Sequence, residues 1–215
     1  MTQKTGRDRQ DIGDGSAQYR DRYAEPELGL AAFCLDSFDA VLVVPVCAES
    51  AAFVDGYRVA ARAVDRLLVI AVLNGRVGAD ESVHSLNAKC LHELRSQFSL
   101  QELKPGGWLG HDASMSLLVV DRFTKDRRLP PRHGVGLARK IGADIALELI
   151  VQRRVRQAFV AMTDADSCLP DDYFSRLAKI EPNCSAAVFP FWHDPRGDAR
   201  IDRATDQDLE AYILN

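Results

Sequence analysis

The chain reads as an α/β protein with a mostly parallel central sheet and helices on both faces. Short runs rich in β-branched and other apolar residues at 41–46, 67–72, 115–120 and 158–162 alternate with segments of helical character. That is the pattern of repeated βαβ units. The runs are continuously apolar rather than alternating, as strands covered on both faces are. Each then gives way to polar residues or glycine, at the end of the sheet where ligands bind in this class of fold.

The elements follow in order. Residues 1–26 are polar, with few large apolar groups beyond Ile12, Tyr19 and Tyr23, and are expected to form a mobile tail. A single domain is expected over 27–215. The first strand spans 41–46, with Pro45 marking its end or an irregularity. Helical character at 51–63 precedes a second strand at 67–72, which Asn74 and Gly75 close. Apolar residues at Val83, Leu86, Leu91, Leu94 and Phe98 recur near helical spacing. A loop around Pro105, Gly106 and Gly107 leads to the third strand at 115–120. Gly134 opens a long helix whose stripe is Leu137, Ile141, Ile145 and Leu149. The fourth strand, 158–162, is followed by Pro170, suited to the first turn of a helix reaching about Ile180. A fifth strand is expected at 186–191.

Composition removes several function classes. Acidic residues outnumber basic ones, 31 to 27, for a net charge of −4, which argues against a general nucleic-acid binder. No apolar run approaches the ~18 residues of a membrane span, and the polar N-terminus lacks a signal-peptide core. The five cysteines are scattered, with no CxxC pair, so a disulfide framework or zinc site is not expected and a reducing cytoplasmic setting is. Cys47 lies in an apolar run and reads as a small buried thiol.

The fourth strand carries the chemistry. Phe159 to Met162 run into Thr163, Asp164, Ala165 and Asp166. If the segment stays extended, residues two apart face one side, and paired carboxylates are hard ligands suited to Mg²⁺ or Mn²⁺. Asp also starts turns and caps helices, which is the structural alternative. The other strand ends add Cys47, Ala48 and Glu49, then Asn74 and Gly75, then Asp121 and Arg122. Gly134 and Gly136 precede Arg139 and Lys140 at a helix start, where backbone N–H groups and the dipole favour an anion. The alternatives there are a plain helix entry and a solvated face.

Taken together, these pieces resemble a family 2 glycosyltransferase of the GT-A fold. The likeness rests on Val41-Leu-Val-Val-Pro-Val-Cys-Ala-Glu49, on Gly134-Val-Gly-Leu-Ala-Arg-Lys140, and on Thr163-Asp-Ala-Asp166 with Pro170. It implies a Rossmann-like nucleotide-sugar-binding fold and metal-dependent transfer of a sugar from a UDP- or GDP-type donor to an acceptor the sequence does not name. It further implies that Asp164 and Asp166 hold Mn²⁺ or Mg²⁺ on the diphosphate. Arg139 and Lys140 would position the phosphates, and Pro45, Glu49, Asn74 and Asp121 would lie by the donor.

The chain departs from that family at Ala48, where Asn is usual, and at Asn74-Gly75, where acidic residues usually meet the base. About fifty residues follow Asp166, fewer than a family catalytic base would need, so a C-terminally truncated donor half is expected. Asp206, Asp208 and Glu210 carry no motif marking a base. Two alternatives stay open: a non-catalytic nucleotide-sugar-binding fragment, and a haloacid-dehalogenase-like phosphatase, whose nucleophile motif is also a strand ending in Asp-x-Asp.

Overall fold

The computed structural model describes residues 7–181 and 184–189, with side chains from residue 15 onward. Residues Met1–Lys179 form one unit and Ile180–Asn215 a second. The described part of the second unit holds no helix or strand. The strand expected at 186–191 is absent over 186–189, and Pro190 and Phe191 lie outside the described residues.

The first unit is built on a six-stranded sheet in the order β3-β4-β5-β2-β1-β6. The strands are β1 (Ala40–Val46), β2 (Leu67–Asn74), β3 (Gln101–Lys104), β4 (Gly107–His111), β5 (Ser116–Arg122) and β6 (Val160–Met162). β5, β2, β1 and β6 run parallel, while β3 and β4 extend the sheet antiparallel beyond β5. Four of the five expected strands therefore form. The mostly parallel α/β class holds, and its boundaries shift by a few residues.

All residues of β1 and β2 are buried, as strands covered on both faces must be. One face receives α4 (Val135–Val151) and the 3₁₀ segment Pro26–Phe33. There Val41, Val43, Leu68, Ile70, Val72, Leu118 and Val120 pack with Leu30, Ala138, Ile141, Ile145 and Leu149. The four-residue stripe read from the sequence is thus the contact face of α4, with Leu137 at its margin. Gly142 lets α4 close onto β1, since a Cβ there would run into the Val43 side chain. The helix expected at 51–63 is a 3₁₀ turn, Ala51–Val54, continuing into α2 (Asp55–Ala61). The apolar spacing at 83–98 becomes α3 (Glu81–Gln97), whose N-cap Asp80 accepts a hydrogen bond from the Ser82 N–H. The helix after Pro170 is short, α5 (Tyr173–Leu177).

Two findings depart from expectation. The loop at 105–107 is a hairpin turn joining β3 to β4: Pro105 precedes Gly106, whose φ of 90° suits the third position of a type II turn. The polar N-terminal stretch contains α1 (Arg7–Arg22), and its last turns lie against α4 rather than forming a tail.

Candidate functional site

The parallel strands follow the doubly wound order, and the sequential order of the strands reverses between β1 and β6. Ligands in such sheets bind in the crevice outside the carboxyl ends at that switch point. Two chain exits meet there. β6 pairs with β1 only over Val41–Val43, and the Thr163 N–H makes the last bond, to the Val43 carbonyl at 3.2 Å. Alternate residues of β1 address β6, so Pro45, which has no N–H, stands where β6 has already left. This is why a proline is tolerated in a central strand.

Beyond β1 the chain turns sharply. Ala48 adopts a left-handed φ of 61°, an unusual conformation for a residue with a Cβ. Two asparagines fix the turn. Asn74 donates to the Val46 carbonyl at 2.9 Å and to the Val72 carbonyl at 3.2 Å. Asn87 of α3 donates to the Asn74 carbonyl and accepts from the Ala48 N–H, each at 2.9 Å. The result presents Cys47 and Glu49 at the crevice. Cys47 is exposed, not the buried thiol expected, because the chain leaves the sheet one residue earlier. Partial desolvation still raises its pKa, while Arg76 pulls it down.

At the end of β6 the carboxylates do not share a side by strand alternation. The Ser167 N–H donates to the Asp164 carbonyl at 3.1 Å, so residues 164–167 form a turn with Asp164 at its first position. Both aspartates are exposed. Tyr57 of α2, fully buried, donates its hydroxyl to the Asp164 carbonyl at 3.1 Å. Its pKa is driven well up by burial and then by the negative charges of Asp166, Asp164, Cys168 and Glu49. The phenol therefore marks the point around which both exits gather, and it stays protonated.

Above them lies the start of α4. Gly134 caps it with no side-chain partner, so the first N–H groups of a 17-residue helix are uncapped. Arg139 pairs with the Asp164 carboxylate. The Arg76 side chain reaches within 4.0 Å of where a Gly134 Cβ would sit. Among the described residues, Arg76, Glu49 and Asp166 have no hydrogen-bond or ion-pair partner in their side chains. No three His, Cys, Asp or Glu side chains among the described residues converge as a ready-made metal site.

Known proteins add nothing to this geometry. No family model matches the chain, and neither a curated protein nor a solved structure is significantly similar to it.

The remaining residues singled out by sequence lie elsewhere in function. Asp121 is buried and accepts from the Phe123 N–H at 2.9 Å, the Thr124 N–H at 3.0 Å and the Thr124 hydroxyl at 2.7 Å. It folds the loop after β5. Asn74 is buried in the turn described above. Lys140 points away from the crevice: its ammonium meets the Tyr23 carbonyl at 2.6 Å, Asp144 at 2.8 Å and Glu25 at 3.0 Å. Asp144, 1% exposed, also accepts from the Tyr19 hydroxyl and the Glu25 N–H, both at 2.8 Å. Arg20 pairs with Glu148 at 2.7 Å. Burial opposes the Lys140 charge, but its bonds to Asp144 and Glu25 outweigh that and raise its pKa.

Sequence reasoning missed Tyr57, Arg76, Asn87 and Asp144. Asp144 left a trace, an acid four residues after Lys140 on the buried side of an apolar helix. The other three left none, since their roles come from partners distant in the chain.

Proposed function

We propose that the chain binds a nucleoside-diphosphate sugar through a divalent cation and acts as a glycosyltransferase of the GT-A kind. The observation that carries this reading is the pairing of Arg139, near the uncapped start of α4, with Asp164 at the β1–β6 switch point, where Asp166 and Glu49 act on the same Tyr57 phenol. An acidic turn facing a cationic, N–H-rich helix start is the arrangement a metal–diphosphate needs: carboxylates for the cation, N–H groups and guanidinium for the phosphates.

The residues fit a cation shared with substrate better than one held by protein alone. Mg²⁺ commonly takes one or two carboxylates and completes its shell with phosphate oxygens and water. Asp166, without a partner, is the principal ligand in this reading, and Asp164, tied to Arg139, the second. Arg139 and Arg76 neutralise phosphate oxygens. Glu49 stands by the nucleoside, on the loop that Asn74 and Asn87 hold in shape. Lys140 and Asp121 take no direct part. When bound, the cation supplies Lewis-acid stabilisation of the departing diphosphate.

A thermal-shift panel of nucleoside diphosphates and their sugars, with and without Mn²⁺, tests the reading. A ligand at a hundred times its Kd adds about 2.7 kcal/mol of stability by mass action. The shift is expected only with metal and only for one base, and Asp166→Ala should remove it while leaving basal stability within about 0.5 kcal/mol. Normal metal-dependent binding by that variant would refute the assignment. Binding without turnover of the donor sugar would leave a nucleotide-sugar-binding module. Hydrolysis of a simple phosphate ester, lost on Asp164→Asn, would favour a phosphatase.

A further inference from the structure

The amino ends of the parallel strands, opposite the crevice, carry a second surface of different character. A cavity of about 370 Å³ opens there, lined by Asp39, Arg66, Arg153, Arg154 and Arg156 together with Phe38. The Arg154 guanidinium donates to the Leu35 carbonyl, which ties the end of α4 to the loop before β1. Arg156 pairs with Asp39 at 3.2 Å. Arg66 and Arg153 are exposed and have no side-chain partner among the described residues. Arg62 lines a second cavity with Asp65. Arg62, Arg66, Arg153, Arg154 and Arg156 thus line these two cavities beside Asp39 and Asp65, on a chain whose overall charge is −4.

Three exposed apolar residues lie close in the chain to these cations or to the Leu35 carbonyl that Arg154 holds. Leu35 is 70% exposed, Phe33 44% and Val151 38%. Phe33 ends the 3₁₀ segment, Leu35 lies in the loop that Arg154 clasps, and Val151 is the last residue of α4. A helix C-terminus attracts cations by itself, which accounts for Arg153 and Arg154. It does not account for Arg66, nor for the exposed apolar groups near the same end of α4.

The backbone at Arg153 adds an independent sign. Arg154 N–H bonds the Leu149 carbonyl at 2.8 Å and Arg153 N–H the Ile150 carbonyl at 2.9 Å, the bonding of a Schellman cap. Arg153 holds its left-handed position, with φ of 59°. Glycine is the low-energy residue there, so the chain keeps an arginine at a conformational cost. Such a cost is common where a side chain serves recognition.

We propose that this pole docks on an anionic lipid surface, with Arg66, Arg153 and Arg154 on the headgroup phosphates and Phe33, Leu35 and Val151 in the acyl boundary. The mixture decides the occupant. A free phosphate or a polyanion needs the guanidinium groups but gains nothing from exposed leucine and phenylalanine. An interfacial lipid layer uses both. Because the strands run from this pole to the crevice, docking holds the candidate site roughly 20 Å above the bilayer and facing away from it.

The test is co-sedimentation of the full chain with phosphatidylcholine vesicles, with and without about a third phosphatidylglycerol, at low and high salt. Binding is expected to the anionic vesicles at least tenfold above the neutral ones and to weaken with salt. Arg153→Gly should lower affinity roughly fivefold with an unchanged or higher Tm, because glycine suits the left-handed cap. Leu35→Ser should lower it roughly tenfold with Tm preserved. No binding to anionic vesicles at low salt would overturn the proposal. So would equal binding to neutral vesicles, or undiminished binding by both variants.

Discussion

Arg139 and Lys140 are neighbours on α4, yet they serve two regions built on different rules. Successive residues of a helix point about 100° apart. Arg139 turns to the crevice and meets Asp164, half exposed, at the rim of a site where Asp166, Glu49 and Arg76 have no side-chain partners among the described residues. Lys140 turns to the N-terminal segment, where it, Asp144, Tyr19 and Glu25 satisfy one another. The contrast gives a working criterion. Charges closed into a mutual network at a buried position hold the fold. Charges left without partners around a chain reversal at strand ends are available to a ligand.

Removing Asp144 is the severest way to break the comparison. Asp144→Ala takes their acceptor from the part-buried Glu25 N–H and Tyr19 phenol and one of three acceptors from the Lys140 ammonium, and should cost about 2–4 kcal/mol of unfolding free energy. Chemical denaturation would measure it, and a loss under 1 kcal/mol would mean that water replaces the network easily. Asp166→Ala should move stability by about 0.5 kcal/mol at most while abolishing the metal-dependent nucleotide shift. The two carboxylates would then differ in opposite senses.

A smaller effect separates the paired cations. Lys140→Met should cost about 1 kcal/mol, because Asp144 loses one of its donors. Arg139→Met breaks only a surface pair and should change stability by at most about 0.5 kcal/mol, while weakening nucleotide binding. Equal stability losses in the two variants would collapse the distinction between the regions.

A further effect is one of pH, at Asp112, which Arg58 of α2 pairs. Burial pushes the Asp112 carboxyl up, but hydrogen bonds from Ser114 and Arg58, with the Ser114 and Met115 N–H groups, outweigh it and bring its pKa to about 2. A pKa depressed by folding stabilises above the unfolded value of about 3.9. That contribution is full at neutral pH and fades as pH falls from about 4 through 2. Asp112→Asn should therefore destabilise at pH 7, and the gap from the wild type should close below pH 3. A gap that stays constant across this range would remove the charge from the explanation.

Much of the fold was legible because continuous apolar runs and a four-residue repeat report burial directly. Residues 41–46, 67–72 and 115–120 read as strands covered on both faces, and Leu137, Ile141, Ile145 and Leu149 as a helix stripe. The β3–β4 hairpin was missed although Pro105-Gly106 marks its turn, because two strands of four and five residues give too little periodicity to read. The N-terminal helix was missed because its attachment is polar and depends on Asp144 and Glu148, more than a hundred residues away. Asp164 and Asp166 follow the last strand, as read from the sequence, though a turn rather than strand alternation sets their disposition.

By itself, the sequence determined the mostly parallel α/β class, the order of its main elements, and the arrival of two carboxylates at a strand's carboxyl end. These follow from local periodicity and from the chemistry of single residues. Only the tertiary structure decided that β1 and β6 flank the reversal of the sheet, that Arg139 faces the crevice while Lys140 secures the N-terminal segment, and that Cys47 is exposed. Such outcomes depend on strand order, on helix phase and on partners far apart in the chain. Hydrophobic patterning records that a segment is buried, but not against what.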